Sequence, residues 1–271
     1  MLKKILKKIK KKLTIQKIIY CNILTCQPNE KLKDKKIVIT GGGSGIGYAI
    51  AKKSVQEGAD VVIMGRRKEK LQNVSNELGR HCKYYIYDIT DFCGENCLME
   101  DMENLLGGPI TTFINNAGIY INKPEGEYTL DDFTRTIDTN LRAPFFLTQS
   151  YIRYCKNKQI NGNVIMIASN RALFGDYGPY GIAKSGLVNA VMGFARQSIK
   201  SHIRVNAVAP GMTASEINNI DAKGNMFTTS SKGNRILLPD EIAEVVNFLA
   251  CDCSACITGA VIPCDEGDRL R

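Results

Sequence analysis

The 271-residue chain contains no tryptophan and only two histidines, His81 and His202. A metal centre built from several imidazoles is thereby excluded, and a histidine-dependent triad has few candidates. Its chemistry must use other side chains. No run approaches the roughly 20 uninterrupted apolar residues that a membrane-spanning helix requires. No collagen-like or long low-complexity repeat is present either, so a fibre and an integral membrane protein are both excluded. What is there is ordinary: 44% hydrophobic and 23% charged residues, enough apolar mass for one substantial core.

Charge divides the chain. Residues 1–36 hold twelve lysines against Glu30 and Asp34, a local balance of +10 in a chain of net +9, which leaves −1 for the remainder. A near-neutral body with one lysine-rich end describes a tail rather than a basic binding face, so no nucleic-acid partner is expected. Within the tail, Leu2, Ile5, Leu6, Ile9 and Leu13 form one apolar stripe at helical spacing, with seven lysines between Lys3 and Lys12 around it. Two readings stay open for residues 1–19. One is peripheral contact with an anionic membrane, at about 1 kcal/mol per basic residue near the lipid; the other is a solvated extension. Gln16 and Lys17 interrupt any apolar signal region and no small-residue cleavage pattern follows. The expected location is the cytoplasm, with the inner face of the membrane as the place of any peripheral contact. There are ten cysteines, but Cys253-x-x-Cys256 has no matching second pair, Cys251 and Cys264 are irregular neighbours, and Cys93 and Cys97 stand apart. No metal is expected and the thiols read as free.

From Lys35 onward short β-rich runs alternate with longer helical ones: Lys36–Thr40, Gly45–Glu57, Asp60–Met64, Lys68–Leu78, Lys83–Tyr87. Further strands are expected at Thr111–Ile114, Asn163–Ile167, Ile203–Val208 and Ala260–Pro263, with helices at Thr129–Ser150, Gly181–Lys200 and Pro239–Cys251. This alternation predicts an α/β fold, a single Rossmann-like, doubly wound parallel sheet flanked by helices on both faces. Two segments result: a lysine-rich extension at 1–34, and one Rossmann-like domain at 35–271, expected from its motifs to be the NAD(P)-binding catalytic domain.

The first strand runs into Thr40-Gly41-Gly42-Gly43-Ser44-Gly45-Ile46-Gly47, and a helix follows. Glycines at 41, 45 and 47 let the backbone turn tightly and approach a pyrophosphate at a helix N-terminus. Ser44 and Ile46 belong to the same loop. The second strand ends in Gly65-Arg66-Arg67, where an acidic residue often accepts hydrogen bonds from the adenosine ribose. Without that carboxylate, and with guanidinium groups in its place, a 2′-phosphate is favoured. The expected cofactor is NADP(H), with NAD(H) the less favoured alternative. Asp88 and Ile89, after the third strand, are placed beside the adenine ring, though Asp88 also suits a helix cap.

The chemical groups come next in order: Asn115-Asn116-Ala117-Gly118 at a strand end, Asn140 within a helix, Ser169 after a strand, and Tyr180-Gly181-Ile182-Ala183-Lys184. Tyrosine and lysine four residues apart share one helical face. A nearby ammonium stabilises phenolate, lowering the tyrosine pKa toward working pH and making it a competent acid or base.

With these motifs the chain resembles the short-chain dehydrogenase/reductase family, of the single-domain Gly-x-x-x-Gly-x-Gly type, from about Lys35 to the C-terminus. Asn206-Ala207-Val208-Ala209-Pro210-Gly211 and Ile257-Thr258-Gly259 extend the likeness. The resemblance implies hydride transfer between a nicotinamide and a carbonyl/secondary alcohol pair on a small organic substrate. Tyr180 would exchange the proton with the substrate oxygen and Ser169 would hydrogen-bond it. Lys184 would hold the nicotinamide ribose, and Asn140 would hold a water in the relay behind Lys184. It also implies a homodimer or homotetramer through the helices at 129–150 and 181–200.

Three departures stand out. The interval from Ser169 to Tyr180 is shorter than is common in the family, so residues 170–179 are expected to shape an unusual pocket. After Pro210-Gly211 the usual threonine near the carboxamide is replaced, with Ser215 at the matching place and Thr213 as the alternative hydroxyl. Asp265-Glu266-Gly267 stands where a glycine pair often follows the aspartate. Two other readings are carried: an enoyl reductase using Tyr177 with Lys184, and a catalytically idle member of the fold whose lysine-rich end binds a membrane or partner. The segments 119–127, 170–179 and 216–235 are expected to form the pocket floor, with no cluster of cations to suggest an anionic substrate.

Overall fold

The computed structural model describes residues 29–91, 95–218 and 220–270, with the side chains of residues 95 and 96 outside the description. The stripe at 1–19 and Cys93 lie outside the described residues.

Seven short apolar runs form one parallel sheet: β1 (Lys36–Thr40), β2 (Asp60–Gly65), β3 (Cys82–Ile86), β4 (Thr112–Asn115), β5 (Asn163–Ile167), β6 (Arg204–Pro210) and β7 (Val261–Cys264). Their order is β3-β2-β1-β4-β5-β6-β7, and every neighbouring pair is parallel. In such a sheet both faces are buried, so each strand is apolar on both sides. Along β1, Ile37 and Ile39 enter one core while Val38 enters the other.

One face is covered by α1 (Gly45–Gln56), α2 (Lys68–Leu78) and, further along the chain, the helix Pro239–Ala250 (α7); Ile50, Leu71 and Val246 anchor them. The other face carries α3 (Glu95–Leu106), α5 (Ala143–Lys158) and α6 (Pro179–Ser198), anchored by Met102, Tyr151 and Leu187. The helix α4 (Leu130–Ile137) precedes α5. Burying an isoleucine or leucine side chain contributes roughly 1.5–3 kcal/mol, so these anchors decide which face each helix takes. Leu32 is fully buried and its N–H donates to the Glu57 carbonyl at 2.9 Å, so the compact body begins a few residues before Lys35.

The strands fall within two residues of their sequence expectations, and the doubly wound sheet is as expected. Two helices differ. α3 is not among the expected helices, although Leu98, Met99, Met102 and Leu106 form a buried stripe at helical spacing. The single helix expected at 129–150 is interrupted: Thr129 closes a capping box with Asp132 at the start of α4, and a π-helical turn, Asp138–Arg142, separates α4 from α5. Pro144 brings no N–H, so the ordinary helical bond back to the Asn140 carbonyl cannot form and the chain widens there.

The strand order reverses between β1 and β4, where the loops leaving their carboxyl ends turn to opposite faces and leave a crevice. Thr40 and Asn116 close its base. Thr40 Oγ1 accepts the N–H groups of Asn116 and Ala117, both at 3.0 Å, and Asn116 Nδ2 donates to the carbonyls of Thr40 (3.0 Å) and Gly41 (3.1 Å).

Candidate active site

The crevice opens into a cavity of about 1060 Å³. Gly41, Ser44, Gly45, Ile46, Arg66, Arg67, Asp88, Ile89, Asn116, Ala117, Gly118, Ser169, Tyr180, Lys184, Pro210, Gly211, Thr213 and Ser215 all line it. Of the expected site residues only Gly47 and Asn140 do not, and both sit directly behind its wall.

At the glycine loop, Gly41 (φ +68°) and Gly45 (φ +54°) take left-handed backbone that side chains disfavour. A Cβ on Gly47 would lie 2.3 Å from the Gly41 carbonyl oxygen and 2.5 Å from Asn116 Nδ2. Gly47 therefore lets α1 close against the loop. Ser44, the N-cap of α1, makes no side-chain cap bond, so the first-turn N–H groups have no side-chain partner from it, and Gly45 and Ile46 border the cavity. This is a cradle for an anion, and the pyrophosphate of a dinucleotide fits its chemistry.

Beyond the loop, the end of β2 presents Arg66 and Arg67. Arg66 is mostly exposed and stands 3.6 Å from Asp88. Asp88 accepts the N–H of Thr90 at 3.0 Å and its hydroxyl at 2.8 Å, closing a local turn rather than capping a helix. Burial raises its carboxyl pKa, but the Thr90 bonds and the Arg66 charge outweigh that and hold it below the ordinary value. Arg67 donates to Glu216 at 2.9 Å and to Ser44 Oγ at 3.2 Å, and Lys70 also pairs with Glu216. Sequence reasoning found Arg66 and Arg67 and placed Glu216 in the pocket floor, but not Glu216's pairing with the cations, nor Lys70, one helical turn further on.

At the other end of the cavity, Pro179 occupies the first turn of α6 and starts the helix in time to place Tyr180 and Lys184 one turn apart. Lys184 Nζ lies 5.7 Å from the centre of the Tyr180 ring. It donates to the Ile167 carbonyl at 2.7 Å, and burial pushes its pKa down to about 8. Tyr180 is half-buried. Burial raises its pKa, and a hydrogen bond with Ser169 and the Arg171 charge oppose the rise without cancelling it. The sequence expectation of a lowered tyrosine differs from this net upward shift. The reason is the burial of the phenol itself, which the Ser169 and Arg171 contributions do not offset.

Ser169 is buried at the end of β5, and its hydroxyl accepts the Arg171 N–H at 3.3 Å. Asn140 is fully buried in the π-helical turn, with Oδ1 accepting the Ile119 N–H at 3.0 Å and Nδ2 donating to the Ile119 carbonyl at 2.8 Å. Its side chain thus holds the backbone after Gly118. A Cβ on Gly118 would meet Asn140 Oδ1 at 2.7 Å, so only glycine fits between Asn140 and the cavity. Past β6, Thr213 is buried and bonds back to the Gly211 carbonyl at 3.0 Å, while Ser215 Oγ donates to the Thr213 carbonyl at 3.4 Å.

Arg171, Asp176 and Tyr120 also line the cavity beside Tyr180. Their segments were expected in the pocket; Arg171 is one cation there, paired with Asp176, and not a cluster. Tyr177 lies before α6, 63% exposed, with its hydroxyl donating to the Lys123 carbonyl at 3.4 Å. It occupies the rim, whereas Tyr180 occupies the floor with Ser169 and Lys184.

A parallel sheet with an anion cradle at its switch point, opening into the same cavity as a tyrosine–lysine–serine group, defines a dinucleotide-binding oxidoreductase. The short chain dehydrogenase family model matches residues 35–225. An NADP-dependent (R)-specific alcohol dehydrogenase of Lentilactobacillus kefiri is 32% identical over 253 residues, covering 88% of this chain and 98% of the relative. A meso-2,3-butanediol dehydrogenase of Serratia marcescens is 30% identical over 243 residues, covering 88% and 95%. A solved short chain dehydrogenase from Bacillus anthracis superposes with a TM-score of 0.79 at 30% identity, covering 89% and 98%. The chain belongs to the short-chain dehydrogenase/reductase family. It is an oxidoreductase of CH–OH/C=O pairs on an NAD(P)-binding fold, and among the described residues no helix is long and apolar enough to cross a membrane.

Proposed function

We propose that this protein is an NADP(H)-dependent oxidoreductase that interconverts a carbonyl and a secondary alcohol on a small organic substrate. The carrying observation is that one cavity holds the glycine cradle with Arg66, Arg67 and Lys70 toward one end and Tyr180, Ser169 and Lys184 at the other. The cradle would hold a pyrophosphate, and the three cations suit a 2′-phosphate better than a bare ribose. The NADP dependence named for the Lentilactobacillus kefiri relative supports the same choice. NAD(H) is the alternative.

When bound, the nicotinamide supplies or accepts the hydride. Everything else falls to the chain. Ser169 and Tyr180, which line the same cavity, would present two hydroxyls to the substrate oxygen. Tyr180, with its pKa raised, keeps its proton at neutral pH and donates it to a carbonyl oxygen as hydride arrives at carbon; in reverse it takes the alcohol proton. Lys184 would turn its remaining donors to the ribose hydroxyls, and Asn140 would hold the relay behind it. Thr213 and Ser215 would meet the carboxamide, with Pro210 and Gly211 behind it.

Exposed Phe133, Phe145, Ile182 and Met192 on α4–α6 support a homodimer or homotetramer. We place the protein in the cytoplasm, with residues 1–19 available for an anionic membrane surface.

The test is a titration with NADPH and NADH followed by nicotinamide fluorescence, with and without Arg66→Asp. Tight NADPH binding that the substitution weakens is expected. Binding of neither dinucleotide would overturn the reading in favour of an idle member of the fold, and NADPH binding indifferent to Arg66→Asp would overturn the phosphate assignment.

A further inference from the structure

The loop between Ser169 and Tyr180 holds a guanidinium that the reaction described above does not use. Arg171 lines the cavity from the short turn Asn170–Leu173. Its Nη1 donates to Asp176 at 2.9 Å, and its guanidinium carbon lies 5.3 Å from the centre of the Tyr120 ring. That ring meets Tyr180 in a T-shaped contact, 5.1 Å between centres. Arg171 and the proton donor thus share Tyr120 as a neighbour.

This arginine is held in place from behind. The Asp176 side chain is 7% exposed, and its second oxygen accepts the Gly178 N–H at 2.9 Å. A Cβ on Gly181 would lie 2.3 Å from the Asp176 Cβ, so the residue directly after Tyr180 must be glycine for Asp176 to sit where it does. A guanidinium carries five N–H donors, and among the described residues only Asp176 takes one of Arg171's. The aromatic ring backs the cation while the rest of the fork stays available to the cavity. The other cations lining the cavity stand elsewhere in it: Arg66, Arg67 and Lys70 beside Asp88 and Glu216 at the dinucleotide end, and Lys184 on the Ile167 carbonyl. Of the lining carboxylates on the substrate side, Asp176 is engaged as described, and Asp268 accepts from Asn170 at 3.1 Å and from the Lys232 N–H at 3.2 Å.

We propose that Arg171 is the anion-recognising residue of the substrate subsite, and that the carbonyl compound this enzyme takes carries a carboxylate. The inference rests on the oxidoreductase reading above. A planar fork matches a carboxylate through paired charge-assisted hydrogen bonds, and a neutral ligand leaves those donors unmet in a partly desolvated site.

The experiment is calorimetric titration of the full-length protein, saturated with whichever of NADP⁺ and NADH's oxidised form NAD⁺ it binds, using acetoacetate and methyl acetoacetate as matched probes. The acid is expected to bind about tenfold or more tighter than the ester, the scale of one charge-assisted bond. Arg171→Gln is expected to erase that preference. Where Arg171→Gln fails to fold by circular dichroism, Arg171→Lys, which keeps charge but loses the fork, is expected to lower it severalfold. An acid bound no tighter than its ester, or a preference that survives the folded variant, overturns the anion subsite alone. A protein that binds neither dinucleotide overturns the oxidoreductase reading and this inference with it.

Discussion

Lys184 donates from Nζ to the carbonyl of Ile167 at 2.7 Å while only 4% of the residue remains exposed. The hydrogen bond fixes the ammonium at the end of β5, level with Ser169 and one helical turn from Tyr180. The charge is held in place, and burial makes it easier to lose.

Burial moves the Lys184 pKa from its ordinary 10.5 to about 8, so the charged form prevails below about pH 8 and the neutral form above it. Tyr180 is shifted upward and keeps its proton through the same range. For carbonyl reduction, kcat/KM is expected to hold at neutral pH and to fall above about pH 8 as the ammonium is lost. The stability consequence has the opposite sign. Between about pH 8 and the unfolded value the unfolded chain binds more protons, so this group makes the fold more stable as pH rises through that window. A pH–rate profile that stays level past pH 9 would sink the assignment.

Gly47→Ala is expected to destabilise the fold and to weaken dinucleotide binding at least tenfold. The added methyl would stand 2.3 Å from the Gly41 carbonyl oxygen, a backbone atom that yields only if the loop opens. Overpacking of this kind costs about 1–3 kcal/mol, which for a chain of this size lowers Tm by roughly 2–4 °C per kcal/mol. Gly43→Ala is the comparison, because its methyl would meet Leu71 at an ordinary 3.4 Å. Equal Tm losses in the two variants would contradict the geometry.

The sheet was legible because each strand is a short β-rich run bounded by turn residues, and a parallel sheet buried on both faces demands such runs. The glycine loop, Tyr180, Lys184 and Ser169 were legible for a related reason: their roles depend on spacing along one turn or one helical face. What escaped depends on distance across the fold. Glu216 meets Arg67 from 149 positions along the chain. Arg171 was legible within the expected pocket segment, but its pairing with Asp176 was not. Its position depends on Asp176, and Asp176's on the glycine that follows Tyr180, a chain of steric permissions that no local pattern encodes. The π-helical turn at Asn140 had a readable cause in Pro144, four residues on, where a missing N–H breaks the ordinary ladder.

Glu216 carries the last prediction. Its carboxylate joins the loop after β6 to Arg67 and Lys70, the cations that a 2′-phosphate would also claim. The two anions compete, so Glu216→Gln is expected to tighten NADPH binding and to change NADH binding by less than about twofold. The pairs are about half exposed. Exposed pairs contribute 0.2–1 kcal/mol, so a two- to fivefold gain is the scale to look for in a fluorescence titration, shrinking as salt screens the charges. If Glu216→Gln instead weakens both dinucleotides equally, the carboxylate acts by holding the loop over the cavity, and the phosphate selection falls to Arg66 alone.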